Sequence, residues 1–372
     1  VVAPADWEEV RLGEVLDYEQ PTKYLVSSRD YVEGGRVPVL TAGKSFLLGH
    51  TDDLDGIYSD LPTIIFDDFT TATQWVDFDF KVKSSACKML KAKRGTCDLR
   101  YVYERLRALN YRISDHKRHW ISVFHTMEMR MPPLKEQEEI AEALSDADAA
   151  IESLECLIAK KRDVKQAAMQ QLLTGRTRLP GFTGDWEEVE FSQLCTPRKA
   201  RIDPRVSGGG DVCVELENIA SGSGHLLGVT YTSNTSSLKT MFQSGDVLFG
   251  KLRAYLKKYL LADFAGVCST EIWALEANKI HAIPEFLAQV VRMEDFIESA
   301  SLSYGTHMPR SDWSIVSRLL VSVPSLREQE KIGEALRAMD DELEALTEQV
   351  SKLRMVKEGM MQDLLTGKVR LV

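Results

Sequence analysis

Residues 81–118 carry the densest chemistry in the chain: Lys81, Lys83, Lys88, Lys91, Lys93, Arg94, Arg100, Arg105, Arg107, Arg112, Lys117 and Arg118, opposed only by Asp98, Glu104 and Asp115. Tyr101, Tyr103, Tyr111, His116, His119 and Trp120 are interleaved with them. Ammonium and guanidinium groups neutralise phosphates, imidazole and guanidinium reach base edges, and aromatic rings stack. A charge run is most often a solvated face. The one-sidedness of this block instead favours an anionic partner. A smaller cluster, GKLRAYLKKY, places Lys251, Arg253, Lys257 and Lys258 around Tyr255 and Tyr259. At an offset of 192 residues, Arg118 aligns with Arg310 in GTHMPRSDW, which also carries His307. The expected contact set is Lys81, Lys83, Lys88, Lys91, Lys93, Arg94, Arg100, Arg112, His116, Lys117 and Arg118, then Lys251, Arg253, Tyr255, Lys257, Lys258, His307 and Arg310.

Catalytic chemistry has weaker footing. Asp68 followed by Asp79 and Lys81 loosely fits the spaced carboxylates and lysine with which many nucleases hold a metal, the alternative reading for this segment. Thr41-Ala42-Gly43-Lys44-Ser45 ends like a phosphate-cradling loop, but Pro38 stands where its first glycine belongs. Gly208, Gly209 and Gly210 suggest a turn. The six cysteines, Cys87, Cys97, Cys156, Cys195, Cys213 and Cys268, form no CxxC pair, and the spacings to the seven histidines are not those of metal ligands. No metal site and no enzyme activity are expected of this chain.

The elements that must position these groups come from a repeat. PPLKEQEEIAEAL from Pro132 returns as PSLREQEKIGEAL from Pro324, and residues 132–179 match 324–371 without a gap at 24 of 48 positions. DWEEV at Asp6 returns at Asp185. The organisation is therefore 1–131, 132–184, 185–323 and 324–372, alternating globular domain and helix. Ile332, Leu336, Met339, Leu343, Leu346, Val350 and Leu353 form a coiled-coil seam, matched by Ile140, Leu144, Ala147, Ile151, Leu154 and Ile158. Lys161 then replaces the counterpart of Leu353, and the apolar pattern shifts to Val164, Ala168 and Leu172, as it does to Val356, Met360 and Leu364. Ser325 with Glu328 gives a capping-box signature. Two such helices in one chain are each other's natural partners, packed antiparallel about a pseudo-twofold. Five residues join Leu179 to Asp185, and a closure from Leu371 through the termini to Asp6 would need six. A quasi-circular subunit is expected, with residues 1 and 372 close together.

The net charge of -10 and pI near 5.4 exclude a protein that coats nucleic acid through uniformly basic surface. The total conceals segregation. Residues 1–80 sum to -11 and residues 81–118 to +9. No run reaches the roughly eighteen apolar residues of a membrane span. Asp6, Glu8 and Glu9 stand where a signal peptide would be basic and apolar, so a cytoplasmic protein without a membrane partner is expected.

The two PxLxEQ-IxEAL helices with LLTG endings, the strand-like IIFDDF and GDVLF and the paired DWEEV resemble the specificity subunit of type I restriction-modification systems. The resemblance spans essentially the complete chain. It implies an α+β fold: two mixed α/β target-recognition domains separated by two long helices packed as an antiparallel coiled coil. Each domain is implied to read one half of a bipartite site in double-stranded DNA. The helices are implied to set the spacing and to dock two modification (methyltransferase) subunits, with restriction (ATP-dependent translocase/nuclease) subunits completing the complex. S-adenosylmethionine, ATP and Mg would then belong to those partners. The remaining alternative is a coiled-coil scaffold that binds no DNA.

Overall fold

The computed structural model describes residues 4–26, 31–43, 45–109, 111, 118–206, 210–302 and 309–371. The chain divides into two compact units, Val1–Glu155 with Glu348–Val372, and Cys156–Thr347. Each takes one globular segment and half of each long helix, Leu134–Leu172 and Leu326–Leu364.

In the first unit, the apolar run Thr63–Asp67 is the buried inner strand of an antiparallel four-stranded sheet. Cys87–Ala92 and Thr73–Val76 flank it, and Leu16–Glu19 lies at the edge beyond Cys87–Ala92. A three-stranded sheet pairs Val37–Leu40 antiparallel with Leu47–Thr51 and parallel with Lys81–Val82. Helix Leu99–Ala108 starts at Asp98, whose carboxylate accepts the Tyr101 amide at 2.7 Å. DWEEV becomes the strand Glu8–Arg11, paired with Glu128–Met131.

The second unit repeats the plan. Val247–Gly250 lies between Ile272–Ala277 and Tyr259–Leu261, with Cys195–Pro197 outside, the same order of strands along the chain and across the sheet. A five-stranded sheet contains the parallel pair Val212–Val214 and Gly266–Ser269. Glu187–Glu190 pairs with Leu320–Val323 as its counterpart does in the first unit.

Helix contacts within each unit account for the repeated sequence. In the first unit Glu136 meets Arg370, Asp148 meets Lys357 and Glu155 meets Arg354, so numbers rise on one helix as they fall on the other: the pairing is antiparallel. In the second, Arg178 meets Glu328, Lys165 meets Asp340 and Lys161 meets Glu342. The arginine three residues after LLTG therefore forks onto the buried glutamate of the opposite EQ, at 2.5 and 2.7 Å for Arg370 and 2.6 Å twice for Arg178. These hydrogen bonds raise both guanidinium pKa values. The neighbouring glutamines receive the backbone N–H at the head of a domain helix: Gln137 that of Asp98, Gln329 that of Ile283. Gly175 and Gly367, at φ +69° and +72°, end the helices where a side chain would crowd Trp186 and would strike Pro4, respectively.

Two expectations change. The seam does not shift to Val164 and Val356, which are 57% and 56% exposed. It continues through Lys165 and Lys357, because each buried ammonium faces an aspartate of the opposite helix. The capping box is half made: the Ser325 hydroxyl accepts the Glu328 amide at 3.4 Å, while the Glu328 carboxylate turns to Arg178. Residues 1 and 372 lie outside the described residues. Asp6 and Arg370 are joined by a 2.9 Å ion pair.

Candidate functional site

The connection after the inner strand carries the unusual backbone in both units. Among the described residues, every non-glycine residue with positive φ lies there: Thr71 at 55°, Arg253 at 56° and Lys257 at 49°. Such conformations cost of the order of 1–3 kcal/mol each and gather at functional sites.

In the first unit the turn leaves Thr63–Asp67 and returns as Thr73–Val76. The Asp67 carboxylate accepts the amides of Phe69 and Thr70 at 2.9 and 2.7 Å. Asp68 turns inward and forms a 3.0 Å ion pair with Lys88, both side chains wholly buried. Its carbonyl accepts the His119 amide at 2.9 Å and its carboxylate the Trp120 amide at 3.1 Å. This fixes exposed Arg118 beside a turn that leaves Phe69 at 45% exposure.

In the second unit the same connection is longer. Lys251 accepts the Ser311 amide at 2.8 Å, the Arg253 amide donates to Pro309 at 3.0 Å, and Leu252 bridges to Arg310. Tyr255, at the tip, is 57% exposed and Arg253 is exposed. Glu271 holds Arg310 at 2.9 Å, Glu294 holds Lys257 at 2.8 Å, and Lys258 donates to the Leu216 carbonyl at 2.6 Å. At this connection both units thus present an exposed aromatic residue, Phe69 with Arg118 close in the first and Tyr255 with Arg253 and Arg310 in the second. The donors suit phosphates and base edges, and the rings suit apolar or stacking contacts.

The expected basic block fares differently from its density. Its lysines fold back on the acidic stretch that precedes them. Lys81 and Lys88 are interior, held by Asp53 at 2.7 Å and by Asp68, and are corrected from contact residues to structural ones: a buried ammonium reaches no phosphate. The hydrogen bond from Lys81 lowers the Asp53 pKa. Lys91 is tied to Asp60 at 2.8 Å and Lys93 to the Gly13 carbonyl at 2.7 Å. Arg100 pairs with Glu104 of its own helix and with Asp148 of the long helix. Lys83 is half-buried, and Arg94 and Arg118 are exposed. Arg112, His116, Lys117 and His307 lie outside the described residues, as does Lys44.

The nuclease arrangement does not assemble. Asp68 and Lys81 are engaged with different partners, buried Lys88 and half-buried Asp53, and Asp79 is at the surface. Among the described residues no group of three His, Cys, Asp or Glu could hold a metal ion. Nor is any of their helices long and apolar enough to cross a membrane. Sequence reasoning missed Phe69 and Glu271. The signal for Phe69 was its place after the strand run, in register with the GKLRAY connection.

The sequence model described as type I restriction modification DNA specificity domain matches residues 4–160 and again 183–352. The chain is 52% identical over 134 residues to the type I restriction enzyme EcoR124I/EcoR124II specificity subunit of Escherichia coli, a match spanning 34% of this chain and 32% of that one. It is 22% identical over 403 residues to the type I restriction enzyme MjaVIII specificity subunit of Methanocaldococcus jannaschii, covering 99% and 94%. The fold is similar to that of a type I restriction-modification S subunit from M. genitalium, with a TM-score of 0.65 over 96% of each chain at 17% identity. With the family model matching both halves, the chain belongs to the family of type I restriction-modification DNA specificity proteins.

Proposed function

We propose that this chain is the DNA-recognition subunit of a type I restriction-modification complex, each unit reading one half of a bipartite site in double-stranded DNA. The observation that carries this reading is the twofold occurrence of one device: a strained connection with an exposed aromatic residue, latched beside an arginine. A bipartite target calls for two readers of one design with different side chains.

The helices, 39 residues and so about 60 Å long, set the separation of the half-sites. Val164 and Val356, exposed at equivalent positions of the two helices, suit two copies of one partner, the modification subunits. Restriction subunits join that complex. The chemistry resides in those partners, with S-adenosylmethionine, ATP and Mg. The contact set is Arg94, Lys83 and Arg118, then Lys251, Arg253, Tyr255, Lys257, Lys258 and Arg310, with Arg112, His116, Lys117 and His307 from the undescribed segments. Lys91, Lys93 and Arg100 contribute by shaping the domain that presents them. The setting is the cytoplasm, where DNA and these partners meet.

The test is methylome sequencing of cells carrying this gene with its neighbours. A methylated bipartite motif is the expected result, and its absence overturns the reading. Removing about one turn from both helices should then change the spacer; an unchanged spacer refutes their role as a ruler.

A further inference from the structure

We infer that Phe69 is a specificity-determining residue of the first unit, reading a thymine methyl group through an apolar contact at one position of its half-site. The inference rests on the DNA-recognition reading above and assigns a role to a residue the basic clusters do not include.

Four observations converge on it. Phe69 is a large apolar side chain held 45% exposed within a tight turn. That exposure is imposed by the backbone, because Asp67 accepts the amides of both Phe69 and Thr70, and Thr71 completes the turn at φ 55°. The turn occupies the place of the connection that carries Arg253, Tyr255 and Lys257 in the second unit, joining the same two strands of an equivalent sheet. The turn is also tied to the segment that carries a cation: the carbonyl of Asp68, the next residue back, accepts the amide of His119 at 2.9 Å, and Arg118 immediately precedes that histidine in the chain.

The acidic pair Asp67-Asp68 makes this connection look hostile to DNA in the sequence. Folding removes much of that objection. Asp68 is buried against Lys88, and Asp67 directs a carboxylate oxygen into its own turn. What remains at the surface is a ring without donor or acceptor, on a turn whose neighbouring segment carries exposed Arg118. Such a ring cannot read a hydrogen-bonding edge. In the major groove the apolar feature of a base edge is the thymine methyl.

The experiment uses the complete modification complex with its wild-type motif known, which separates failure of this inference from failure of the underlying function. Each thymine of the site is replaced in turn by deoxyuridine, which deletes only the methyl group. The same series is run with Phe69→Ala, with thermal unfolding as the check that the variant is folded, and with Phe69→Leu, which keeps an apolar side chain. One thymine of one half-site should matter to the wild-type complex by about fourfold in affinity, the worth of one buried methyl-sized group. Phe69→Ala should be insensitive there, and Phe69→Leu partly sensitive. The other half-site should respond equally in all three proteins. Equal uridine sensitivity in wild type and Phe69→Ala, or a loss of affinity in Phe69→Ala that is uniform across sequences, overturns the assignment. Loss of folding in Phe69→Ala leaves the Phe69→Leu series to decide by the same criteria.

Discussion

The two units use the same helix contacts but balance them differently. In the first, Arg100 and Lys357 face two carboxylates, Asp148 and wholly buried Glu104, and the more exposed Arg107 also reaches Glu104 at 3.3 Å. In the second, Arg292 and Lys165 share Asp340, and among the described residues no second carboxylate lies within ion-pair distance of either. The Arg292 guanidinium instead lies 4.9 Å from the centre of the Tyr259 ring. The lysine and aspartate belong to the helices and repeat at the 192-residue offset; the additional carboxylate and the ring come from the domains. The repeat therefore preserves what the helices need from each other and leaves each domain to complete the cluster in its own way.

The most damaging way to break this difference is to make the first cluster resemble the second. Glu104→Gln keeps the shape and leaves Arg100 and Lys357 with Asp148 alone. Breaking one partner out of a buried ionic cluster costs about 3–5 kcal/mol. Amide exchange in Leu99–Ala108 should accelerate while exchange in Pro284–Val290 stays unchanged. Equal acceleration in both helices, or none, would show that Glu104 does not set the first unit apart.

A smaller effect separates the readers. Arg118→Ala and Arg310→Ala should each relax sequence preference in a different half of the methylated motif, by about 1–3 kcal/mol at the affected position if the contact is bidentate. The two differ in preparation: Glu271 holds Arg310 at 2.9 Å, so Glu271→Gln should weaken the second half-site less than Arg310→Ala does. Relaxation of the same half by both arginine variants would contradict a one-domain, one-half-site assignment.

Much of this architecture was legible in the sequence because the repeat is a record of contacts. The two long helices followed from the 3.5-residue seam, their antiparallel pairing from its recurrence within one chain, and a strand in each domain from the runs IIFDDF and DVLF. Those signals are local and periodic. The course of the seam beyond Lys161 and Leu353 was misread because Lys165 and Lys357 look like surface residues until an aspartate from the other helix is placed opposite them. The basic block was misjudged for the same reason. A sequence shows -11 followed by +9 as two faces, whereas pairing Lys81–Val82 beside Val37–Leu40 and Cys87–Ala92 beside Thr63–Asp67 brings those charges together. Lys81 with Asp53, Lys88 with Asp68 and Lys91 with Asp60 neutralise one another. What a side chain faces is a property of tertiary pairing, and charge counts carry no information about it. Phe69 escaped notice because an aromatic residue after a strand is ordinarily interior; only the turn geometry turns it out.

The smallest expected effect follows from the missing carboxylate. Burial, and then the nearby Arg292 guanidinium, lower the Lys165 ammonium to about 7, with Asp340 the carboxylate that faces it and Gln289 holding Arg292 from the domain side. An unfolded lysine keeps its proton to about pH 10.4. Between these values the unfolded chain binds more protons than the folded one, so stability should rise with pH, by at most about 1.4 kcal/mol per pH unit for one group. The rise should appear in amide exchange of Pro284–Val290 between pH 7.5 and 9, after correction for the intrinsic pH dependence of exchange, and not in Leu99–Ala108. Lys165→Met should abolish it, since Asp340 and Arg292 then form a balanced pair. Lys357→Met should instead destabilise its unit, because it removes the buried cation of the cluster and leaves Asp148 and Glu104 to half-buried Arg100 and the more exposed Arg107. If the two methionine variants behave alike, the clusters are electrically equivalent and the asymmetry between the units lies only in their readers.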